Sequence, residues 1–225
     1  MLLDLFRSDS YLDLIIKLMA RVFVVFCTLP IHEFAHALTA DRLGDDTPRL
    51  KGRLTLNPLA HLNLLGSLMI FLVGFGYAEP VPVNPRNFKN PRGGMAITAA
   101  AGPLSNLVMA LFFALVTNAS KLWVVTGGGT LASVCFSFFY FAAVININLA
   151  VFNLIPVPPL DGSRILNLII PAKYYFAIMK YERYIMIGVL VILFTGILST
   201  PLAFLSSSIM RGFMWLTGLP FNLVR

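Results

Sequence analysis

The sequence predicts an all-α protein that crosses a membrane several times. Of its 225 residues, 58% are hydrophobic and only 12% are charged, and the mean hydropathy is +0.81. Soluble domains contain about 45–50% apolar residues, so this composition exceeds their range. The apolar residues lie in long runs separated by short polar loops, which is typical of about five to six transmembrane segments. No internal repeat or domain boundary is evident, and we expect one membrane-embedded domain over residues 1–225.

The first apolar run extends from Tyr11 to Ala40 and predicts a single long helix. About thirty helical residues are enough to cross a hydrocarbon core of roughly 30 Å. Pro30 removes a backbone donor and crowds the preceding turn, so we expect a kink there. His32, Glu33 and His36 follow and form the pattern H-E-x-x-H. Ionisable residues within a bilayer segment indicate a functional site.

The H-E-x-x-H pattern predicts a metal centre. Residues four apart share one face of a helix, so the imidazoles of His32 and His36 can reach the same ion. Glu33 lies beside them, where its carboxylate can act as a base on an attacking water. A catalytic zinc site typically has three protein ligands and an open fourth position. The third ligand must therefore come from another part of the chain.

The segments after the first helix are irregular. Residues 49–57 alternate polar and apolar side chains and predict a short strand-like element. Residues 62–78 are apolar, but about seventeen residues is the lower limit for a span, and three glycines interrupt them. We expect this segment to re-enter the membrane without crossing it, since irregular backbone is tolerated where protein buries it. The proline-rich residues 79–85 cannot be helical.

Two further runs, 95–119 and 131–152, are clear transmembrane helices by length. Residues 184–199 form a last strong apolar run. Residues 201–219 form a weaker one, which either returns through the membrane or lies at its surface. The two clear spans return the chain to the side of His36 only if residues 62–78 do not themselves cross.

Asp161 is the best candidate for the third metal ligand. It is a carboxylate at a membrane boundary, it lies in a loop stiffened by prolines, and the count of crossings places it at the histidines' side of the membrane. The residues alone leave competitors open: Glu79, Glu182, His61 and, more weakly, Cys27.

The positive charges predict an orientation. The net charge is +7, but no basic nucleic-acid-binding module is present, so we expect no nucleic acid partner. The same topology places eleven of the seventeen basic residues on the side of the predicted metal centre, which the positive-inside rule makes cytosolic. We expect the plasma (inner) membrane of a prokaryote, with the site open to the cytosol. The eleven residues are Arg42, Arg49, Lys51, Arg53, Arg86, Lys89, Arg92, Arg164, Lys173, Lys180 and Arg183.

The pairing of two motifs resembles a known family. His32-Glu-Phe-Ala-His36 in a membrane helix, followed by Asn153-Leu-Ile-Pro-Val-Pro-Pro-Leu-Asp161-Gly162, is similar to the site-2 protease family of intramembrane zinc metalloproteases. The resemblance covers nearly the whole chain. It implies one zinc ion on His32, His36 and Asp161, and Glu33 activating water to cleave a peptide bond within a substrate's membrane segment. It also implies that Asn153 stabilises the oxyanion or holds the substrate.

Residues 57–61 and 102–106 resemble a minimal branch of that family, without PDZ or CBS domains. Two departures concern substrate handling: Asn63-Leu64 stands where the branch often has Asp-Pro, and Glu79 where a basic residue is common. His61 and Asn106 are possible substrate-binding residues. The alternative for His61 is a hydrogen-bonded structural histidine, and for Asn106 a polar residue that holds helices together.

Two other function classes are weighed against the protease. An ion or zinc transporter would show paired broken helices from an inverted repeat, which the sequence lacks. A non-catalytic membrane scaffold would have lost Glu33 or a ligand, and both are present. We therefore expect a membrane-protein or peptide substrate and a lipid bilayer as partners; the oligomeric state is open.

Overall fold

The computed structural model describes residues 10–61, 68 and 79–222, and these residues confirm an all-α architecture. Two 3₁₀ turns, Pro58–Ala60 and Pro85–Asn87, lie in the long connection between the second and fourth main helices. The helices are α1 (Tyr11–Phe23), α2 (Leu29–Arg42), α3 (Thr47–Leu50), α4 (Pro91–Val125), α5 (Gly129–Asn153), α6 (Asp161–Leu166), α7 (Ala172–Met179), α8 (Glu182–Thr195) and α9 (Ser199–Asn222).

Among the described residues, four helical stretches are long and apolar enough to cross a membrane: Tyr11–Arg42, Pro91–Val125, Gly129–Asn153 and Ser199–Phe221. α8 has 14 residues, or about 21 Å of helix, which is shorter than a hydrocarbon core of about 30 Å. The re-entrant segment predicted at 62–78 lies outside the described residues, apart from Leu68. The total of five to six segments therefore stays a prediction.

The strand-like element predicted at residues 49–57 is wrong. Thr47–Leu50 forms one helical turn, with Pro48 in its first positions, where the fixed φ of proline favours a helix. The Arg53 amide then donates to the Pro48 carbonyl at 2.8 Å, and Gly52 adopts a positive φ of 68°. No strand is present in the described ranges to pair with this stretch, so local turn chemistry prevails over the alternating pattern.

The long first helix contains a π-helical turn, Val24–Thr28, between α1 and α2. In this turn the Leu29 amide donates to the Val24 carbonyl, five residues back, and the Thr28 hydroxyl donates to the same oxygen at 3.1 Å. The irregularity expected at Pro30 thus begins one turn earlier, where the wider turn makes room for the proline ring.

One consequence of the π turn is a continuous buried face. A spacing of four residues drifts by about 40° per step on a straight α-helix, and the wider turn offsets part of this drift. His32 and His36 therefore face the same interior as the buried residues of α1. The buried residues at this spacing are Ile16, Ala20, Val24, Thr28, His32, His36 and Ala40.

The helices form one bundle around α4 and α5. α2 packs on α4, α1 on α5, and α9 on both α4 and α5. Small residues at the contacts, among them Ala110, Ala142 and Ala143, allow close approach, and Phe113 fills the remaining space. Asn118 on α4 donates to the Met214 carbonyl at 2.9 Å. Residues 201–219, which the sequence left open, thus lie in α9 and pack in the bundle.

Candidate metal centre

Three polar side chains converge between α2 and the start of α6. His32 and His36 are 4% and 7% exposed, and their Nε2 atoms lie 3.1 Å apart. Asp161, the first residue of α6, places Oδ2 3.5 Å from His32 Nε2 and 3.3 Å from His36 Nε2. In the described part of the chain, no other set of three such ligand atoms is grouped closely enough for one metal ion.

The three distances fit a zinc ion. Zinc bonds to histidine nitrogen and carboxylate oxygen are about 2.0–2.2 Å, so a tetrahedral site separates its ligand atoms by about 3.3–3.6 Å. The observed separations of 3.1, 3.3 and 3.5 Å are close to these edges. The donor set of two imidazoles and one carboxylate is also one that catalytic zinc uses.

Hydrogen bonding fixes the tautomer of His36. Its Nδ1 lies 2.7 Å from the carbonyl oxygen of Thr98, and because a carbonyl can only accept, Nδ1 carries the proton. With Nδ1 donating to Thr98, Nε2 of His36 faces the Asp161 carboxylate, 3.3 Å away, where either a proton or a metal ion fits between the two atoms. A ligand nitrogen on one side of the ring and a carbonyl partner on the other is the arrangement of a metal-binding histidine with an oriented outer partner.

Gly102 on α4 forms one wall of the site. A Cβ atom built there would overlap His36 Nε2 and lie 2.6 Å from His32 Nε2. No residue with a side chain fits while the two histidines keep their positions. The next residue, Pro103, has no backbone N–H. The turn of α4 next to Thr98 therefore has one backbone hydrogen bond fewer than a regular helix. The sequence places Gly102 in a family-like segment of small residues that allow close helix approach, and its contact with the two histidines comes from helix packing.

Asp161 is held by the chain on both sides of it. The Ser163 hydroxyl donates to the Leu160 carbonyl at 2.7 Å, which closes the first turn of α6. A Cβ atom on Gly162 would lie 2.5 Å from the Ile155 carbonyl oxygen. α6 therefore starts in close contact with the chain leaving α5, and this contact sets the position of the carboxylate.

A model of peptidase family M50 matches residues 20–196. The chain belongs to peptidase family M50. This is the site-2 protease family, and the match confirms the resemblance drawn from the paired motifs. With four helices of spanning length in the described part of the chain, the M50 peptidase is an integral membrane protein.

Relatives of this M50 peptidase carry metalloprotease names. It is 40% identical over 177 residues to "Putative zinc metalloprotease YwhC" of Bacillus subtilis, covering 77% of this chain and 80% of that protein. It is 32% identical over 164 residues to "Putative zinc metalloprotease Rip2" of Mycolicibacterium smegmatis, covering 71% and 59%. For Rip2 of Mycobacterium tuberculosis the identity is 29% over 157 residues, covering 68% and 57%. No solved structure matches the chain.

The predicted catalytic residues occupy different places in the M50 peptidase. Glu33 follows the first ligand on α2 and is 7% exposed. Asn153 is the last residue of α5, half-buried, at the start of the loop that leads to Asp161. Its role as an oxyanion donor stays a prediction.

The competitors for the third ligand lie elsewhere among the described residues. His61 is fully buried, and its Nε2 is 2.8 Å from the Thr55 carbonyl, which fits the structural alternative. Glu79 pairs with Arg53 at 2.7 Å. Cys27 is exposed on the π turn, and Glu182 begins α8. None of these four joins the group of His32, His36 and Asp161.

The two residues that flank residues 62–78, His61 and Glu79, lie side by side. The Glu79 amide donates to the His61 carbonyl at 2.9 Å, and Arg53 contacts both the Ala60 carbonyl and the Glu79 carboxylate. Residues 61 and 79 are therefore on the same side of the bundle.

A buried carboxylate joins the loop after α2 to the segment before α4. Asp45 accepts hydrogen bonds from the Thr47 hydroxyl at 2.5 Å and from the Asn84 amide and Asn87 side chain at 2.7 Å each. Burial alone would raise the pKa of this carboxyl, but these donors hold its pKa below the usual value. Charged Asp45 thus links the loop that follows α2 to the segment that precedes α4. These two helices form the walls of the candidate site.

Proposed function

We propose that this M50 peptidase is a zinc-dependent intramembrane endopeptidase, which hydrolyses peptide bonds within or near transmembrane segments of membrane proteins. The observation that carries the proposal is the convergence of His32, His36 and Asp161 on a helix bundle of membrane-spanning length. Family membership and the names of the relatives support zinc as the metal. We treat residues 1–225 as one domain; the family match spans 20–196.

The roles follow from the chemistry of each side chain. His32, His36 and Asp161 would hold the zinc ion. When bound, zinc supplies a Lewis acid that polarises the scissile carbonyl and lowers the pKa of a water to about 7. Glu33 accepts a proton from the attacking water and delivers it to the amide nitrogen as the C–N bond breaks. The Asn153 amide donates a hydrogen bond to the developing oxyanion, a type of contact worth about 3 kcal/mol.

Hydrolysis at this depth requires water and an accessible backbone. The polar residues that directly follow α2 are joined to those that precede α4 by the hydrogen bond from Asn87 to Asp45, and these two helices contribute His32, His36 and Gly102 to the site. We expect water to enter along these polar residues. A helical substrate must also unwind locally, since its backbone hydrogen bonds occupy the peptide carbonyls.

The proposed orientation opens the site to the cytosol. Eleven of the seventeen basic residues fall in the segments assigned to this side, as the positive-inside rule requires of a cytosolic face. The curated relatives are bacterial, which supports a prokaryotic plasma membrane. The predicted partners are thus a membrane-protein or peptide substrate and the lipid bilayer.

Removal of the metal tests the proposed function. We expect 1,10-phenanthroline to stop cleavage of dye-quenched casein by the purified full chain in detergent, and of single-pass membrane proteins in proteoliposomes. Stoichiometric zinc should restore both activities. Cleavage that continued after zinc had been stripped would contradict a zinc mechanism. Zinc flux into proteoliposomes without any cleavage would place the chain in the transporter class.

A further inference from the structure

We propose that Asn106 is a positioning residue that orients the metal ligand His32 through the Nδ1 atom of its imidazole. The inference rests on the zinc site proposed above and deepens it. Asn106 then does for His32 what the Thr98 carbonyl does for His36: it holds the imidazole nitrogen that faces away from the metal site.

The two imidazoles differ in their surroundings. His36 Nδ1 donates to the Thr98 carbonyl at 2.7 Å. His32 Nδ1 is equally buried, but no hydrogen-bond partner for it is found among the described residues. Metal-binding histidines almost always donate their second ring N–H to an acceptor, which fixes both the tautomer and the ring orientation. His32 therefore requires an acceptor in the buried space beside it.

Asn106 supplies an amide group in that region. Its side chain is 1% exposed, and both Nδ2 and Oδ1 are buried without a hydrogen-bond partner in the described part of the chain. Buried polar atoms are nearly always hydrogen-bonded, either to protein or to water. An unpartnered amide and an unpartnered imidazole nitrogen on two packed helices, α4 and α2, are thus complementary.

The register of α2 against α4 brings these groups together. Thr98, Gly102 and Asn106 are four residues apart, so they share one face of α4. Thr98 contacts His36, whereas a Cβ atom at Gly102 would contact both His36 and His32. The two helices therefore run in opposite directions here, so a later residue of α4 lies beside an earlier residue of α2. Asn106, one turn beyond Gly102, lies on the His32 side of the site.

The direction of the Asn106 side chain brings its amide group closer to the ring of His32. In a helix the Cα–Cβ bond tilts toward the N-terminus, so Asn106 leans back toward Gly102 and the ring of His32. We assign one buried water between the two groups. This water accepts a hydrogen bond from His32 Nδ1–H and donates one to Asn106 Oδ1. A buried water needs two or more polar partners, and these two groups provide them. The Nε2 lone pair of His32 then points to the metal.

Two simpler roles for Asn106 fit less well. A residue that holds helices together should bond a neighbouring helix, as Asn118 does when it donates to Met214 and Thr217 of α9. Asn106 makes no such bond to another described helix. A substrate-binding residue should be reachable from solvent or lipid, and an exposure of 1% makes direct contact with a substrate difficult.

The test compares zinc affinity in variants of the full chain in detergent, measured by competition with a chromophoric chelator. Asn106→Leu should weaken zinc binding by about 10- to 100-fold, the usual effect of losing an outer partner. Asn106→Asp keeps an acceptor and should bind zinc at least as tightly as the wild type. Asn118→Leu is the matched control, since it makes the same change on α4 about 18 Å further along. It should lower the unfolding temperature and leave zinc affinity unchanged.

Wild-type zinc affinity in Asn106→Leu would overturn the proposal. The same holds if that variant raised KM for casein while its zinc affinity stayed constant, because Asn106 would then contact substrate. If Asn106→Leu did not fold, a tenfold loss of zinc affinity in Asn106→Asp would count against the assignment. A wild-type chain that bound no zinc would refute the proposed function itself, which separates the two failures.

Discussion

Replacing Glu33 with glutamine is expected to abolish peptide-bond cleavage while zinc remains bound. Glutamine has nearly the same shape, but its amide cannot accept a proton from water or deliver one to the leaving nitrogen. General acid–base groups contribute about 10²- to 10⁴-fold to rate, so cleavage should fall by at least about 100-fold. His32, His36 and Asp161 are untouched by this change, so zinc content should stay at one ion per chain.

The measurement follows cleavage of dye-quenched casein by the purified variant, with zinc content determined on the same sample. Glu182→Gln is the control, since it makes the same substitution at the start of α8, away from the ligands. Wild-type cleavage by Glu33→Gln would contradict the mechanism. Loss of zinc from that variant would instead place Glu33 among the ligands.

Replacing Gly102 with alanine is expected to destroy the metal centre without unfolding the chain. The added methyl group would occupy the space of His36 Nε2 and lie 2.6 Å from His32 Nε2. Both ligand atoms must move for it to fit, and zinc affinity should fall by more than about 100-fold, beyond the effect of losing an outer partner. Alanine favours a helix by about 1 kcal/mol over glycine, so lost helix propensity cannot explain the result.

A matched control is available in the same bundle. Gly212 lies on α9, and a Cβ atom there would meet nothing within 4 Å. Gly212→Ala should retain wild-type zinc affinity and activity, and its unfolding temperature should be equal or higher. Tight zinc binding by Gly102→Ala would show that the histidines are not held against α4 as the structure places them.

The residues of the site that lie on one helix could be predicted from the sequence, because helix geometry alone sets their relative positions. His32 and His36 share a face because a helix repeats every 3.6 residues, and Glu33 is their neighbour. Asp161 is different, because it lies 125 residues after His36. The residues alone left five candidates, and counting membrane crossings with the family resemblance favoured Asp161. The structure brings Asp161 Oδ2 to 3.3 Å from His36 Nε2.

Other features depend on packing and could not be predicted. Gly102 and Thr98 carry no metal-binding chemistry in their side chains, and their roles arise because α4 lies against α2. The strand expected at 49–57 failed because an alternating pattern is too short to specify a strand without a partner. The π turn at Val24–Thr28 has no clear sequence signal, although Pro30 indicated a disturbance nearby.

An anomalous difference map at the zinc absorption edge tests the central claim most directly. Crystals of the purified wild-type chain should show one peak per molecule, about 2.0–2.2 Å from His32 Nε2, His36 Nε2 and an Asp161 carboxylate oxygen. A peak held by Glu79 or His61 in place of Asp161 would contradict the assigned ligand set and the crossing count behind it. Zinc-containing protein with no peak at this position would contradict the metal centre altogether.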